Sequence, residues 1–404
     1  MSILVQKYGG SSVASPEKIR AVARRIARTK EHHEQVVVVV SAMGKTTDEL
    51  LGLARQLSKE PSPRELDMLI ATGEQQSSAL LVMALLEIGC PAISLTGAQS
   101  GIVSSGVHTK AEILDIDPTR VVQELDQGKV VVVAGFQGVN GNNDITTLGR
   151  GGSDISAVAL AVTLGAPVCE IYTDVEGVYT ADPRLVPRAR LLGEISYEEM
   201  QELANLGAKV LHPRSIEFAQ KFNIVLHVRS SFSQAGGTLV KGAGDLEKKR
   251  VVSGVACDLD TAKAVVLGVP DEPGVAQRVF LALAEANINI DMIIQSMMRK
   301  DRNDIAFTVE EGDLPRVIEI MDRVAAELGA EGVAHDANVA KISIVGAGMI
   351  SHPGTAATMF GALGDAGINI EMISTSEIKI SCLIQEADAK RAVEAIHERF
   401  HLDS

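Results

Sequence analysis

The chain has 404 residues, a formal net charge of -14, 46% hydrophobic and 22% charged residues, 3% aromatics and no tryptophan. That length exceeds one ordinary core and predicts two or three domains, and the composition excludes a disordered chain. The negative balance excludes a nucleic-acid groove, which needs a basic surface, and requires any anionic substrate to be held by a local cluster of donors.

Residues 1–230 alternate β-branched runs with helical patterns. The first run, Ile3–Val5, leads into Lys7-Tyr8-Gly9-Gly10-Ser11-Ser12 and a helix over Pro16–Arg28 that starts at Ser15-Pro16, with proline in the first helical position. Two glycines let the backbone approach a phosphate and aim N–H groups at it, and Lys7 at the strand end adds a point charge. The spacing is not that of a Walker-type loop. A purely structural Gly-Gly turn is the alternative.

Val36–Val40 is the next strand, followed by Ser41-Ala42-Met43-Gly44-Lys45-Thr46-Thr47-Asp48 and a helix over Asp48–Leu57 with a predicted capping box, Thr46-x-x-Glu49. Hydroxyls at the carboxyl end of a parallel strand stand where such sheets bind ligands. Capping explains Thr46 but leaves Ser41 and Thr47 unexplained. The helical stretch Arg64–Ile88 contains Glu74, next to Gly73 and among Leu69, Ile70 and Leu80. A carboxylate there needs a cation if buried, and a substrate ammonium would contribute roughly 1.5–3 kcal/mol. A solvated face shared with Gln75 and Gln76 is the other reading.

After the strand Val130–Val133 comes Gly149-Arg150-Gly151-Gly152-Ser153-Asp154, which opens the apolar helix Ile155–Leu164. Ser153 or Asp154 can cap that helix, and an arginine among glycines offers a bidentate clamp for a carboxylate or phosphate. The strand Val168–Tyr172 ends in Thr173-Asp174. Tyr179-Thr180-Ala181-Asp182-Pro183-Arg184 and Lys209 follow, groups that could hold a nucleotide, although Asp182-Pro183 reads equally as a turn. A helix over Tyr197–Leu206 with the capping box Ser196-x-x-Glu199 and a strand over Ile224–Val228 complete this part. Continuous apolar strands between helices predict a mainly parallel sheet covered on both faces.

Residues 231–250, rich in Ser and Gly and ending in a charge run, read as a linker. Beyond it the sequence repeats. Pro273-Gly274, Phe280, Leu283 and Ile288-Asn289-Ile290-Asp291-Met292-Ile293 recur 80 residues later as Pro353-Gly354, Phe360, Leu363 and Ile368-Asn369-Ile370-Glu371-Met372-Ile373. Each copy reads as a βαββαβ module, over 251–340 and 341–404.

Gly346-Ala347-Gly348 lacks the third glycine of a dinucleotide fingerprint, and the nine histidines show no metal-ligand spacing, with His212-Pro213 reading as structural. No protein metal site is expected. Cys90, Cys169, Cys257 and Cys382 form no C-x-x-C pair, which fits a reducing cytoplasm. The start MSILVQKYGG lacks signal-peptide features, and no uncharged apolar run reaches about 18 residues, Ala79–Leu86 reading as a buried helix. The expectation is a cytoplasmic protein that engages neither membrane nor nucleic acid.

KYGGSS, SAMGKTTDEL, ATGEQ, TTLGRGGSD, YTDVEGVYTADPR and GAKVLHPRS, in this order and spacing, resemble the aspartate kinase family over essentially the whole chain. The resemblance implies an α/β amino-acid kinase fold, a mainly parallel sheet sandwiched by helices, followed by two α+β ACT domains. It implies that the strand near Val251–Cys257 can belong to the second ACT unit. The implied reaction is transfer of phosphate from ATP, with Mg²⁺, to L-aspartate. By the resemblance, Lys7, Tyr8, Gly9 and Gly10 hold the phosphates and Glu74 takes the substrate ammonium. Arg150 takes the α-carboxylate, and Ser41, Thr47, Gly151, Gly152 and Ser153 position the substrate. Asp154 organises the site, while Thr173, Asp174, Tyr179, Arg184 and Lys209 contact the nucleotide. Asp271, Gly274, Ala276, Asn289, Ile290, Asp291 and Gln295 in the first repeat, and Asn369, Ile370, Ser374 and Thr375 in the second, are implied effector contacts for threonine, lysine or both. ACT pairing implies a homo-oligomer. The rival readings are a kinase of glutamate, N-acetylglutamate or UMP, disfavoured by Glu74 with Arg150, and a non-catalytic amino-acid sensor, disfavoured by Lys7, Glu74, Arg150 and Asp154 together.

Overall fold

All five residues of Val36–Val40 are fully buried, so both faces of their strand are covered. The computed structural model describes residues 3–208, 210–244, 250–296 and 301–404. They form two compact units, one of residues 3–178, 191–204 and 210–244, the other of residues 179–190, 205–208 and those from 250 onward.

The first unit runs β1 (Ile3–Tyr8), α1 (Pro16–His32), β2 (Gln35–Val40), α2 (Thr46–Leu57), α3 (Pro63–Ile70), α4 (Thr72–Glu87), β3 (Ala92–Leu95), β4 (Ile102–Ser104), β5 (Ile113–Ile116), α5 (Thr119–Asp126), β6 (Val130–Ala134), β7 (Gln137–Val139), β8 (Ile145–Thr147), α6 (Gly152–Thr163), β9 (Val168–Thr173), β10 (Glu194–Ser196), α7 (Tyr197–Asn205), α8 (Pro213–Phe222), β11 (Val225–Ser230) and β12 (Thr238–Lys241). Its eight-stranded sheet has the order β10-β12-β11-β9-β1-β2-β6-β3, parallel except between β11 and β12. Val36, Val38 and Val40 pack with α1 and α4 in one core, while α6 covers β1, β2 and β9. A second, small sheet has the order β5-β4-β7-β8.

Local chemistry explains several element ends. Ser15 Oγ accepts the Lys18 N–H at 3.4 Å, and Ser196 and Glu199 exchange side-chain-to-backbone bonds at 3.1 and 3.2 Å, a complete capping box. Thr46 forms no box: α2 begins at Thr46 itself, with Lys45 in the cap position and no side-chain bond. The predicted helix 64–88 is two helices. The run Pro63–Glu87 is long and apolar enough to cross a membrane by length and composition, but half of its most apolar stretch is buried and α4 packs on α1, β3 and β6. Ala79–Leu86 is not buried throughout, since Met83 and Leu86 are exposed.

The linker reading needs correction. Thr238–Lys241 is strand β12 of the main sheet, pairing with β10 and β11, so the first unit continues past residue 230. Residues 179–190, placed in the first part by sequence, belong to the second unit. There Ala181 and Val186 enter an apolar core and Thr180 Oγ1 meets His397 Nε2 at 2.9 Å.

The second unit runs β13 (Gly254–Asp258), β14 (Ala262–Pro270), α9 (Val275–Glu285), β15 (Ile293–Gln295), β16 (Arg302–Val309), α10 (Leu314–Leu328), β17 (Gly332–Asp336), β18 (Val339–Val345), α11 (Thr355–Asp365), β19 (Met372–Thr375), β20 (Lys379–Gln385) and α12 (Ala389–Arg399). The repeat is visible in the backbone: α9 and α11 start 80 residues apart, each capped by a glycine in the left-handed region, Gly274 at φ +93° and Gly354 at φ +98°. The two sheets have the orders β15-β16-β14-β17 and β13-β18-β20-β19. In the first, β17 pairs antiparallel with β14; in the second, β13 pairs antiparallel with β18 and holds the same place. Met292 and Met372, another pair 80 residues apart, share a buried cluster with Val339 and Leu383 that joins the two modules. Lys341, 4% exposed, reaches Asp291 at 2.5 Å and Asp258 at 3.1 Å, and Lys263 pairs with Glu371.

Candidate active site

Neighbouring parallel strands β1, β2 and β6 end at one edge of the main sheet, and the backbone extends the ladder one step past each. Gly9 N–H donates to the Tyr172 carbonyl, Ser41 N–H to that of Tyr8, and Gly135 N–H to that of Val40, each at 3.1 Å. Two glycines in the turns that follow have no room for a side chain. A Cβ on Gly10 would lie 2.7 Å from the Ala42 carbonyl oxygen, and one on Gly135 would lie 2.8 Å from Val39 Cγ1 and 3.0 Å from Ser153 Cβ. The result is a floor of closely packed, glycine-bearing turns at the carboxyl end of a parallel sheet.

Lys7, the penultimate residue of β1, is 9% exposed, and its Nζ lies 2.6 Å from Asp154 Oδ1 in the first turn of α6. Ser153, next to Asp154, is buried against the Gly135 turn.

Glu74 stands in the first turn of α4, 3% exposed. Its Oε1 accepts the Ala42 N–H at 3.0 Å, and its Oε2 has no hydrogen-bond partner among the described residues. Burial pushes the carboxyl group up to about 7, against the opposing pull of the Ala42 N–H. A buried carboxylate oxygen without a partner is costly until a cation or donor arrives. Gly73 permits the arrangement, because a Cβ there would lie 2.8 Å from Ala42 Cβ.

The chain reaches α6 through Gly149 at φ +74° and Gly151 at φ +73°. A Cβ on Gly151 would fall 2.3 Å from His212 Cγ, so this histidine walls the turn as well as capping α8. Burial lowers the His212 pKa, Asp154 opposes it, and Arg214 and Arg150 assist it. Arg214 Nη1 donates to the Leu148 carbonyl at 2.7 Å, and Arg150 is exposed between its two glycines.

The structure therefore brings Lys7, Gly9, Gly10, Ser41, Glu74, Gly151, Gly152, Ser153 and Asp154 to one end of the sheet. Thr47 lies half-buried in the first turn of α2. At the end of β9 the half-buried Thr173 hydroxyl donates to the exposed Asp174 carboxylate at 3.1 Å. The Tyr8 ring is fully buried, stacked on Tyr172 at 4.7 Å, and its hydroxyl donates to Gln6. Tyr179 and Arg184 belong to the second unit, where Arg184 forks onto Asp182 with Nη2 at 2.6 Å. Lys209 lies outside the described residues. Asp271, Gly274, Ala276, Asn289, Gln295, Asn369 and Thr375 are exposed, while Ile290, Ile370 and Ser374 are half-buried. Asp271 accepts the Asn303 amide at 2.9 Å. Sequence reading missed Gly135, whose one signal is a glycine directly after a valine run, and gave His212 no place beside Gly151.

Residues 2–230 match the model of the amino acid kinase family, and residues 264–324 and 342–400 match that of the ACT domain. The chain is 52% identical over 407 residues to the aspartokinase of Mycolicibacterium smegmatis, covering all of this chain and 97% of that protein. The chain belongs to the aspartokinase family. Among solved aspartokinases it resembles E. coli aspartokinase III in complex with aspartate and ADP (R-state), at 26% identity and a TM-score of 0.79, covering 99% of this chain and 100% of that one. The same enzyme with lysine and aspartate (T-state) gives 26% identity and a TM-score of 0.77, covering 98% and 99%. This aspartokinase-family chain is an ATP-dependent kinase of amino-acid biosynthesis, with an amino-acid kinase fold followed by ACT domains.

Proposed function

We propose that the chain transfers the γ-phosphoryl group of ATP to the β-carboxylate of L-aspartate, giving ADP and 4-phospho-L-aspartate. A carboxylate oxygen attacks phosphorus as the bond to the β-phosphate oxygen breaks. The nucleophile is already ionised at neutral pH, so no general base is needed. The protein's task is to bring two anions together and stabilise charge on the group in transit.

The observation that supports this reading best is Glu74: a buried carboxylate with one oxygen unpartnered, at the sheet end that also carries Lys7. It takes the aspartate ammonium. Arg150 clamps the α-carboxylate, and Ser41, Thr47, Gly151, Gly152 and Ser153 orient the reacting carboxylate. Lys7 and the Gly9-Gly10 turn hold the transferring phosphate, with Asp154 fixing the lysine at 2.6 Å. Thr173 and Asp174 reach the nucleotide. Among the described residues no group of three or more His, Cys, Asp or Glu side chains is placed to hold a metal ion. Magnesium binds mainly to substrate phosphates and water and needs few protein ligands. Bound there, it would neutralise phosphate charge, and Asp154, beside Lys7, is the carboxylate that would help to hold it. ADP release that depends on L-aspartate, with hydroxylamine trapping the acyl phosphate, tests the reading; no aspartate-dependent ADP would overturn it.

The ACT modules make feedback control by an end-product amino acid the natural role of the second unit. E. coli aspartokinase III has been solved with lysine. For this chain we propose lysine, threonine or both, bound near Asp271, Gly274, Ala276, Asn289, Ile290, Asp291 and Gln295, and near Asn369, Ile370, Ser374 and Thr375. Asp291 already pairs with Lys341, so an effector ammonium there would share it. The step would open the route to lysine, threonine and methionine in the cytoplasm, carried out by a homo-oligomer closed through ACT pairing. Titration calorimetry with each amino acid and with the two together tests this, and absence of heat from every combination would defeat it.

A further inference from the structure

Asp67 on α3 has no exposed surface. The Thr109 N–H donates to both of its oxygens, at 3.1 and 3.0 Å, the Thr147 hydroxyl donates at 2.5 Å, and His108 Nδ1 lies at 2.7 Å. Three donors on a wholly buried carboxylate make a rigid post, since loss of the acceptor would strand every one of them.

What the post holds is a strained loop. Thr109 lies at φ +66°, a region that β-branched residues rarely enter, and Asp67 grips its N–H. The Thr109 carbonyl lies close beside Gly149, where an added Cβ would sit 3.1 Å from its oxygen. Thr147, the second donor, ends β8 three residues before Arg150, and its carbonyl accepts the Ala111 N–H at 2.9 Å. One buried carboxylate thus joins both supports of the turn that presents Arg150: the strand that leads into it and the loop that leans on it. The far side of the turn rests on His212 and Arg214.

We propose that Asp67 is a positioning residue for Arg150, holding the Gly149-Arg150-Gly151 turn ready for the substrate α-carboxylate. The inference rests on the reading of Arg150 given above. An exposed arginine on a loose turn loses conformational freedom when it binds, and a preset turn removes part of that loss. Asp67 therefore acts on aspartate capture and leaves phosphoryl transfer alone.

Steady-state kinetics of the full chain test this with Asp67→Asn, Arg150→Ala and the double variant. Asp67→Asn raises the aspartate KM about tenfold or more, while kcat at saturating aspartate and the ATP KM stay within about threefold. In the Arg150→Ala background Asp67→Asn adds no further rise, because both substitutions remove the same interaction. A purely structural Asp67 would instead lower kcat and add its effect to that of Arg150→Ala, and either result overturns the proposal. Should Asp67→Asn fail to fold, Thr147→Val removes one donor at constant volume; a smaller but specific rise in aspartate KM supports the proposal and an unchanged KM overturns it. If Arg150→Ala itself leaves the aspartate KM unchanged, the reading of Arg150 falls; if it raises KM and Asp67→Asn does not, only the present inference falls.

Discussion

Asp291 and Glu371 stand 80 residues apart, and each pairs with a lysine of the other module, Asp291 with Lys341 and Glu371 with Lys263. The two lysines lie near the starts of equivalent strands, β14 and β18. The repeat therefore builds inside one chain the reciprocal contact that a symmetric dimer makes between two.

Lys341 is the more buried of the two lysines. Burial pulls its ammonium down in pKa, but Asp291 and Asp258 outweigh that and leave it raised. Lys341→Met leaves two carboxylates facing each other with no cation between them. Because Asp291 is 46% exposed at its side chain, the expected loss is about 2 kcal/mol, less than for a wholly buried pair. Calorimetry should show the transition of the second unit falling, with that of the first unmoved.

Glu74 predicts a proton signal. Its folded value of about 7 lies above the ordinary 4.5, so between those pH values the folded chain holds a proton that the unfolded chain has lost. Its contribution is therefore complete below about 4.5 and is lost as pH rises through about 7, worth up to about 3 kcal/mol. Glu74→Gln should flatten that slope. An arriving substrate ammonium favours the ionised form, so aspartate binding at pH 6.5 should release a proton, and affinity should fall as pH drops further. Calorimetry in two buffers of different ionisation heat measures the release; an equal release from Glu74→Gln would remove Glu74 from the account.

Lys7→Ala removes the proposed phosphate donor and leaves Asp154, only 13% exposed at its side chain, without its cation. We expect kcat to fall by about 100-fold or more, with the aspartate KM within about threefold. A kcat that barely changes would remove Lys7 from its role.

Gly151→Ala meets two obstacles, a left-handed φ of +73° and a Cβ 2.3 Å from His212 Cγ. Backbone strain of about 1–3 kcal/mol and a displaced Arg150 turn should cut kcat/KM for aspartate by about 100-fold. Adding His212→Gly opens the space without relieving the φ, so activity should return in part. Full return, or none, would mean that one of the two obstacles is not operating.

The sequence exposes what is periodic or chemically out of place. The valine runs, the proline start of α1 and the 80-residue repeat were legible because burial and capping leave local patterns. Glu74 is marked as a charge among apolar residues, and Lys7 and Asp154 by the glycine-rich runs beside them; the structure gathers all three at one sheet end. The small sheet escaped because β4, β7 and β8 have three residues each, too few to show alternation. Strand β12 escaped because it follows a Ser- and Gly-rich run that looks like a spacer. For Tyr8 the motif shows position and not the direction of the ring, which is buried against Tyr172. Asp67 gave no signal, since its partners lie 41, 42 and 80 residues away.

Strand β13 precedes the first module yet closes the sheet of the second, so the first module is an insertion inside its twin. A gene cut near residue 340 would not yield a free-standing C-terminal sensor, because β18 would lose its outer neighbour and present a bare edge for other chains to join. Grafting new ligand specificity onto this tail would have to transplant the nested pair whole, from before Gly254 to the end of α12.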